Sequence, residues 1–252
     1  MTTKSIQIFL SALFGISICL LFWVATQLFS GTPGIVRFFE LLGGNLPSFI
    51  HIFIYASFMY GLLELLNNHK YIRGQYGGFN LNLLPMEDQR VITPEEVAKI
   101  KLNAIDLEKR GFHYLVAEFI KKACTQYRND KSISDTLQVF EAQVDNNKGE
   151  LEGNLEMVRY TINAIVSLGF IGTLIGLSSA IGLAHLAKTE EGMPEITSQL
   201  NMAFDTTLVA LLTGLVLNFL YHRYLEDLDT FYSRTKSYII DNLISRIYVG
   251  HI

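Results

Sequence analysis

Leu168-Gly169-Phe170-Ile171-Gly172-Thr173-Leu174-Ile175-Gly176 and Ala203-Phe204-Asp205-Thr206-Thr207-Leu208-Val209-Ala210-Leu211-Leu212-Thr213-Gly214 carry most of the small and hydroxyl side chains that lie deep inside apolar sequence. They lie inside apolar runs from Met157 to Leu186 and from Leu200 to Tyr221. Gly169, Gly172, Thr173, Gly176 and Ala180 recur at helical spacing and fall on one face of the first run. Ala203, Thr207, Ala210, Gly214 and Asn218 make a matching stripe on the second. Two such faces let helix backbones approach closely in lipid, with hydroxyls along the contact. One reading is close packing alone, since a buried Thr can bond its own backbone. The other is a polar path for an ion or for a partner's charged side chain, because polar groups at membrane depth usually face an interior.

Composition sets the class. Of 252 residues, 50% are hydrophobic and only 17% are charged, too apolar for an ordinary soluble domain and long enough for several membrane spans. A net charge of -4, with basic residues spread rather than clustered, gives no reason to expect nucleic-acid binding. Cys19 falls in an apolar run and Cys124 in a polar one, so no disulfide joins them on this reading.

Taken in order, the chain reads as four spans. Ile6 to Phe29 has no interior charge and about 24 residues, against the ~20 that cross a bilayer, and reads as a span rather than a signal peptide. Ser30 to Leu46 is a Gly- and Pro-bearing turn region with an interfacial piece around Ile35 to Leu42. Pro47 opens a second span to about Leu66, with His51 and Glu64 near its ends as interfacial residues. From Asn67 to Glu156 the chain turns polar and carries twelve of the twenty lysines and arginines. The positive-inside rule puts this stretch, both termini and the tail in the cytoplasm. The expected organisation is thus 1–66, the first two spans; 67–157, a cytoplasmic helical loop; 158–221, the third and fourth spans; and 222–252, a cytoplasmic C-terminal helix. The fold class is all-α.

Within the polar loop, Thr93-Pro94-Glu95-Glu96 is a good helix start, with Thr as cap, Pro at the first position and Glu at the third. That helix breaks near Gly111 and ends about Tyr127, before a polar turn at Arg128 to Lys131. A second helix starts near Ser132 or Ser134 with an apolar stripe from Ile133 to Val158. With no Pro between Ser132 and Met193, the simplest expectation is one helix running to about Leu186, roughly 80 Å long at ~1.5 Å per residue. The tail keeps an amphipathic pattern, Leu225, Leu228, Tyr232, Ile239, Leu243 and Ile247, and should pack against this stalk. Its charges, including Arg223, Glu226, Asp227, Asp229 and Lys236, read as a solvated face. Arg90, Lys99, Lys101, Glu108, Lys109 and Arg110 are available for contacts with an output or are simply a solvated helix surface.

No phosphate-binding loop, metal-ligand cluster or nucleophile motif appears, and the six histidines are scattered, so no enzyme, metal or cofactor is expected. Asp205 is the one acid well inside an apolar run. It reads either as a helix-start residue accepting first-turn amides or as a polar entry point for cations.

At Leu168 to Gly176 and Ala203 to Ala210 the sequence resembles the MotA/TolQ/ExbB family, channel subunits of rotary stators and envelope energisers. The first stretch is similar to the family's Leu-Gly-Leu-Leu-Gly-Thr-x-x-Gly and the second to Ala-Leu-x-x-Thr-x-x-Gly, with Val166 where a proline often stands and Ala210 in place of the second motif's glycine. The wording is closer to ExbB and TolQ, the four-span layout closer to MotA. The resemblance implies a homopentamer around a dimeric, single-span partner similar to MotB, ExbD or TolR, whose intramembrane Asp would face Thr173 and Thr207. It implies a proton-driven motor subunit of the bacterial inner membrane; Thr206, beside Thr207, resembles sodium-driven stators and keeps sodium as an alternative ion. Two rival classes are a non-conducting oligomeric scaffold and a small-solute carrier, the latter without a visible inverted repeat.

Overall fold

The computed structural model describes residues 3–45, 49–85, 91–190 and 192–248; the expected start of the second span at Pro47, and Arg90, lie outside them. Among the described residues there is no strand, only an isolated bridge between Ile92 and Ile247. Eight α-helices are formed by the described residues: α1 (Thr3–Leu28), α2 (Pro33–Phe39), α3 (Phe49–Gln75), α4 (Pro94–Lys109), α5 (Leu115–Asp130), α6 (Ile133–Gly153), α7 (Glu156–Gly182) and α8 (Gly192–Asn242). Among the described residues, four helical stretches are long and apolar enough to cross a membrane, as expected. The chain divides into two compact units, one of Met1–Leu66 and Leu155–His222, the other of Asn67–Asn154 and Arg223–Ile252. α3 and α8 contribute to both.

The first unit is built from helices that approach closely where a side chain is missing. A methyl group on Gly15 of α1 would lie 2.5 Å from the Ile52 carbonyl of α3, and one on Gly61 of α3 would lie 2.6 Å from Leu217 of α8. The seam with the most such glycines joins α7 to α8. A methyl on Gly169 would meet the Ala210 side chain at 2.5 Å, and one on Gly176 would meet Ala203 at 2.5 Å and the Gln199 carbonyl at 2.8 Å. Large apolar side chains elsewhere on these helices, Phe9, Phe53, Phe170, Phe204, Leu215 and Phe219 among them, remain exposed on the isolated chain. That inversion, small residues inside and large ones outside, is what lipid permits and water does not.

The second unit has a buried core of aromatic and aliphatic side chains. Thr93 caps α4 by accepting from the Glu96 amide while the Glu96 carboxylate accepts from the Thr93 amide at 3.0 Å, the capping box expected from the sequence. Gly111, at φ +88°, breaks the chain between α4 and α5. The Gln75 carboxamide, at the end of α3, pins that turn: the Leu115 amide donates to its oxygen at 2.7 Å. Phe119 of α5 meets Phe140 of α6 and Tyr232 of α8 edge-on, and Phe231 meets Tyr76 and Phe79. The Arg234 guanidinium lies over Phe79, 4.8 Å from the ring centre. Burial pushes the Cys124 thiol up to about 12, and both cysteines are free.

Several boundaries differ from expectation. α3 runs on to Gln75, past the expected end near Leu66, and Tyr76–Leu81 follows as a 3-10 turn. α5 continues to Asp130, and Lys131 makes the turn alone in the left-handed region at φ 53°. The expected long helix is nearly continuous: α6 and α7 are separated by Asn154 and Leu155, both of which keep right-handed helical dihedrals. Its apolar end falls at Gly182, before a 3-10 turn at Ala184–Leu186. α8 starts at Gly192, well ahead of Leu200. The tail does pack on the stalk: the Tyr232 hydroxyl donates to Asn147 at 2.7 Å. Its charges are not merely solvated, since Lys148 pairs with Asp229 at 2.6 Å and Lys236 with Asp145 at 2.7 Å across that contact. These pairs stay largely exposed, and exposed pairs contribute about 0–1 kcal/mol each, so they set register more than stability.

Two substitutions separate the cores. Gly176→Leu forces α8 away at Ala203 and should lower the thermal midpoint of the detergent-solubilised protein, overpacking costing about 1–3 kcal/mol. Phe231→Ala opens the aromatic core of the second unit and should cost about 3–5 kcal/mol, read as a fall in the same midpoint.

Candidate functional site

α7 and α8 bring the two small stripes onto each other. Gly169, Gly172, Gly176 and Ala180 on α7, and Ala203, Ala210 and Gly214 on α8, are buried. A side chain on Gly172 would strike Thr206, one on Gly169 would strike Ala210, and Gly214 sits over Val166 and Ile165. Thr173, Thr207 and Asn218 are only half-buried. The sequence stripe thus splits into residues spent on helix contact and residues that keep some open surface.

Thr173 and Thr207 meet there. Their hydroxyls touch each other, Thr207 donates to the Gly169 carbonyl of α7 at 2.9 Å, and Thr173 reaches the Ala203 carbonyl of α8 at 3.2 Å. Each hydroxyl has one proton, so the two share these acceptors with one another. Cross-helix hydrogen bonds of this kind are worth about 0.6 kcal/mol on average in lipid and up to ~2. Thr206 does something else. It is buried against Gly172, and its hydroxyl donates to the Ala203 carbonyl of its own helix at 3.0 Å.

Asp205 points away from this seam, two residues before Thr207 and so about 200° round the helix. With α8 starting at Gly192, it is no helix-start residue, and that expectation fails. Its carboxylate instead accepts two hydrogen bonds from Arg37 of α2, both at 2.7 Å, a bidentate pair that is the stronger form of such contacts. The carboxylate is almost wholly buried and the guanidinium partly open, with Glu40 a further 3.8 Å contact for Arg37. A cavity of about 510 Å³ opens beside the pair, lined also by Asn45, His51, Ser198 and Asn201.

Sequence reasoning did not single out Arg37 and set His51 aside as interfacial. A signal for the first was present: Arg37 is the only base in the Ser30–Leu46 loop, and Asp205 is the one acid in the fourth apolar run. Opposite charges at matching ends of two spans ask to be paired. His51 is 2% exposed, a depth that follows from the loop folding back over it, which periodicity does not encode. Among the described residues, no cluster of three His, Cys, Asp or Glu could hold a metal ion.

Comparison with known proteins gives a family match. Residues 113–236 match the model of the MotA/TolQ/ExbB proton channel family, a stretch that contains both threonines and the whole small-residue seam. No curated protein and no solved structure matches the chain significantly. Through this stretch, and with four apolar helices of spanning length, the chain belongs to the MotA/TolQ/ExbB proton channel family, and it is a membrane protein.

Proposed function

We propose that the chain is the ion-conducting subunit of a rotary motor driven by the proton-motive force, a pentamer around two single-span partner helices. The observation that carries this reading is the hydroxyl pair Thr173–Thr207, half-open among apolar residues. An Asp on a partner helix, facing that pair, would accept hydrogen bonds from the hydroxyls when charged. Once protonated it loses the reason to stay, and the partner helix can move to an apolar neighbour. One elementary charge falling through the membrane potential supplies about 2.3 kcal/mol per 100 mV, enough to bias such a step.

Protons suit this site better than sodium. A sodium site wants several oxygens converging on one point. Thr206, the extra hydroxyl expected from the sequence, is turned into Gly172 and bonded to its own helix. The excess of basic residues in 67–156 over the short loops supports a bacterial inner-membrane placement with both ends cytoplasmic and the Ser30–Asn45 loop outside. Exposed charges of α4, Lys99 and Lys109 among them, are then on the side of the output machinery, whether flagellar, gliding or outer-membrane. A scaffold without conduction is the competing class, since the α7–α8 seam by itself would serve oligomerisation.

Two measurements test the reading. Thr207→Val and Thr173→Val, each in a well-expressed complex, should reduce ion flux and the cellular output together by at least about tenfold, the equivalent of one hydrogen-bonded interaction of ~1.4 kcal/mol lost from the conducting state. Unchanged flux in both variants would sink it. Native mass spectrometry of the chain with its single-span partner should give five copies to two; a stable ring that assembles without any such partner moves the scaffold ahead.

A further inference from the structure

The cavity beside Arg37 and Asp205 contains a group with no structural reason to be polar. His51, 2% exposed at the start of α3, has neither ring nitrogen in a hydrogen bond, and the main chain of Leu41 faces the ring without closing one of normal geometry. A buried polar group left unsatisfied is destabilising. A leucine would fill the place without that cost. The ring lines a space of about 510 Å³, room for several waters at ~30 Å³ each. Gly43 holds the loop down over it: φ is +103° there, and a methyl group would lie 3.0 Å from the imidazole.

The charges round the ring do not balance. Arg37 from α2 brings one positive charge; Glu40 from the following turn and Asp205 from α8 bring two negative ones. The remaining titratable neighbours are Tyr55, one turn further along α3, whose hydroxyl donates to the Leu42 carbonyl at 2.9 Å, and Cys19 of α1 beyond it. Both are neutral. With a neutral imidazole the cluster carries one net negative charge; with an imidazolium it carries none. The cavity therefore has a place for one added cation, and the side chain best placed to hold it as a proton is His51.

We propose that this cavity is a proton-loading site, with His51 the acceptor, at the outer mouth of the path to Thr173 and Thr207. A hydronium in the cavity gives its proton to the unprotonated ring nitrogen and leaves as water. The imidazolium then shares Asp205 with Arg37 until the proton moves on. Placing the cavity at the outer side rests on the orientation proposed above; the protonation itself does not.

Nitrogen-15 NMR of the full chain in liposomes, labelled at histidine, tests it directly. The signal lost in His51→Gln is that of His51, and His51→Asn gives a second assignment if the first variant fails to fold. This signal should convert from the neutral to the charged form between about pH 5 and pH 8. Removing a neighbouring cation favours the charged ring, so Arg37→Gln should raise the midpoint by about one pH unit, tenfold in proton affinity. Removing an anion does the opposite, so Asp205→Asn, and the milder Glu40→Gln, should lower it. A ring that stays in one form across the range, or a midpoint unmoved by all three substitutions, overturns the proposal. A midpoint that moves when choline is replaced by sodium at constant ionic strength also overturns it and gives the cavity to a metal cation. No flux is measured, so conduction surviving Thr173→Val and Thr207→Val would remove the channel reading and leave this result standing, and the reverse holds equally.

Discussion

In hydrocarbon a helix gains nothing by hiding apolar side chains from its surroundings, because the surroundings are apolar too. Helices must instead gain by contact, and contact is best where two backbones come close. That constraint shapes the first unit. Gly169, Gly172 and Gly176 present bare backbone to Ala203, Thr206 and Ala210, and α8 is held against α7 at a distance that any larger side chain would prevent. The approach has a chemical consequence. It puts the Gly169 carbonyl within reach of Thr207 and the Ala203 carbonyl within reach of Thr173, so each threonine hydroxyl can leave its own helix for the neighbouring one.

The same seam explains why threonines one residue apart do different work. Thr206 and Thr207 differ by about 100° of helix rotation. The first points into Gly172 and closes on its own backbone; the second emerges at the edge and meets Thr173. Asp205, a further 100° back, reaches the other side of α8 and finds Arg37. One turn of helix thus carries a packing residue, a polar edge residue and a charge anchored to another element.

How much of this was legible in the sequence follows from which interactions are local. Helical periodicity carried the two stripes, the four spans, the capping box at Thr93 and the break at Gly111, because each depends on neighbours within a turn or two. It misplaced the ends of α3, α5 and α8, which extend beyond the apolar pattern: polar residues that continue a helix cost little and leave no mark in hydropathy. The partners of Asp205 and His51 were illegible for a different reason. Arg37 lies 168 positions away from Asp205 in the chain, and the loop that covers His51 is shaped by a positive φ at Gly43, so only the three-dimensional path of Pro33 to Asn45 joins them. The charges on the tail were misjudged similarly, since Asp229 and Lys236 look solvated along their own helix and are paired only across to Lys148 and Asp145.

On the proposed reading, the two polar features of the first unit also fix where a charge can travel between them. The direct line from Asp205 to Thr207 runs through α8 itself, and the interior of the α7–α8 seam is shut by Thr206 on Gly172 and by Ala203 on Gly176. What remains is the outer edge of α8, on the side where Thr173 and Thr207 keep open surface beside the exposed rings of Phe170 and Phe204. In one chain that edge has a single wall. A charge beside it would face hydrocarbon, where it is costly to hold, so a conducting path needs a second wall with polar groups of its own. On the proposed reading the hydroxyl pair is therefore half of a site, and the other half arrives with another molecule.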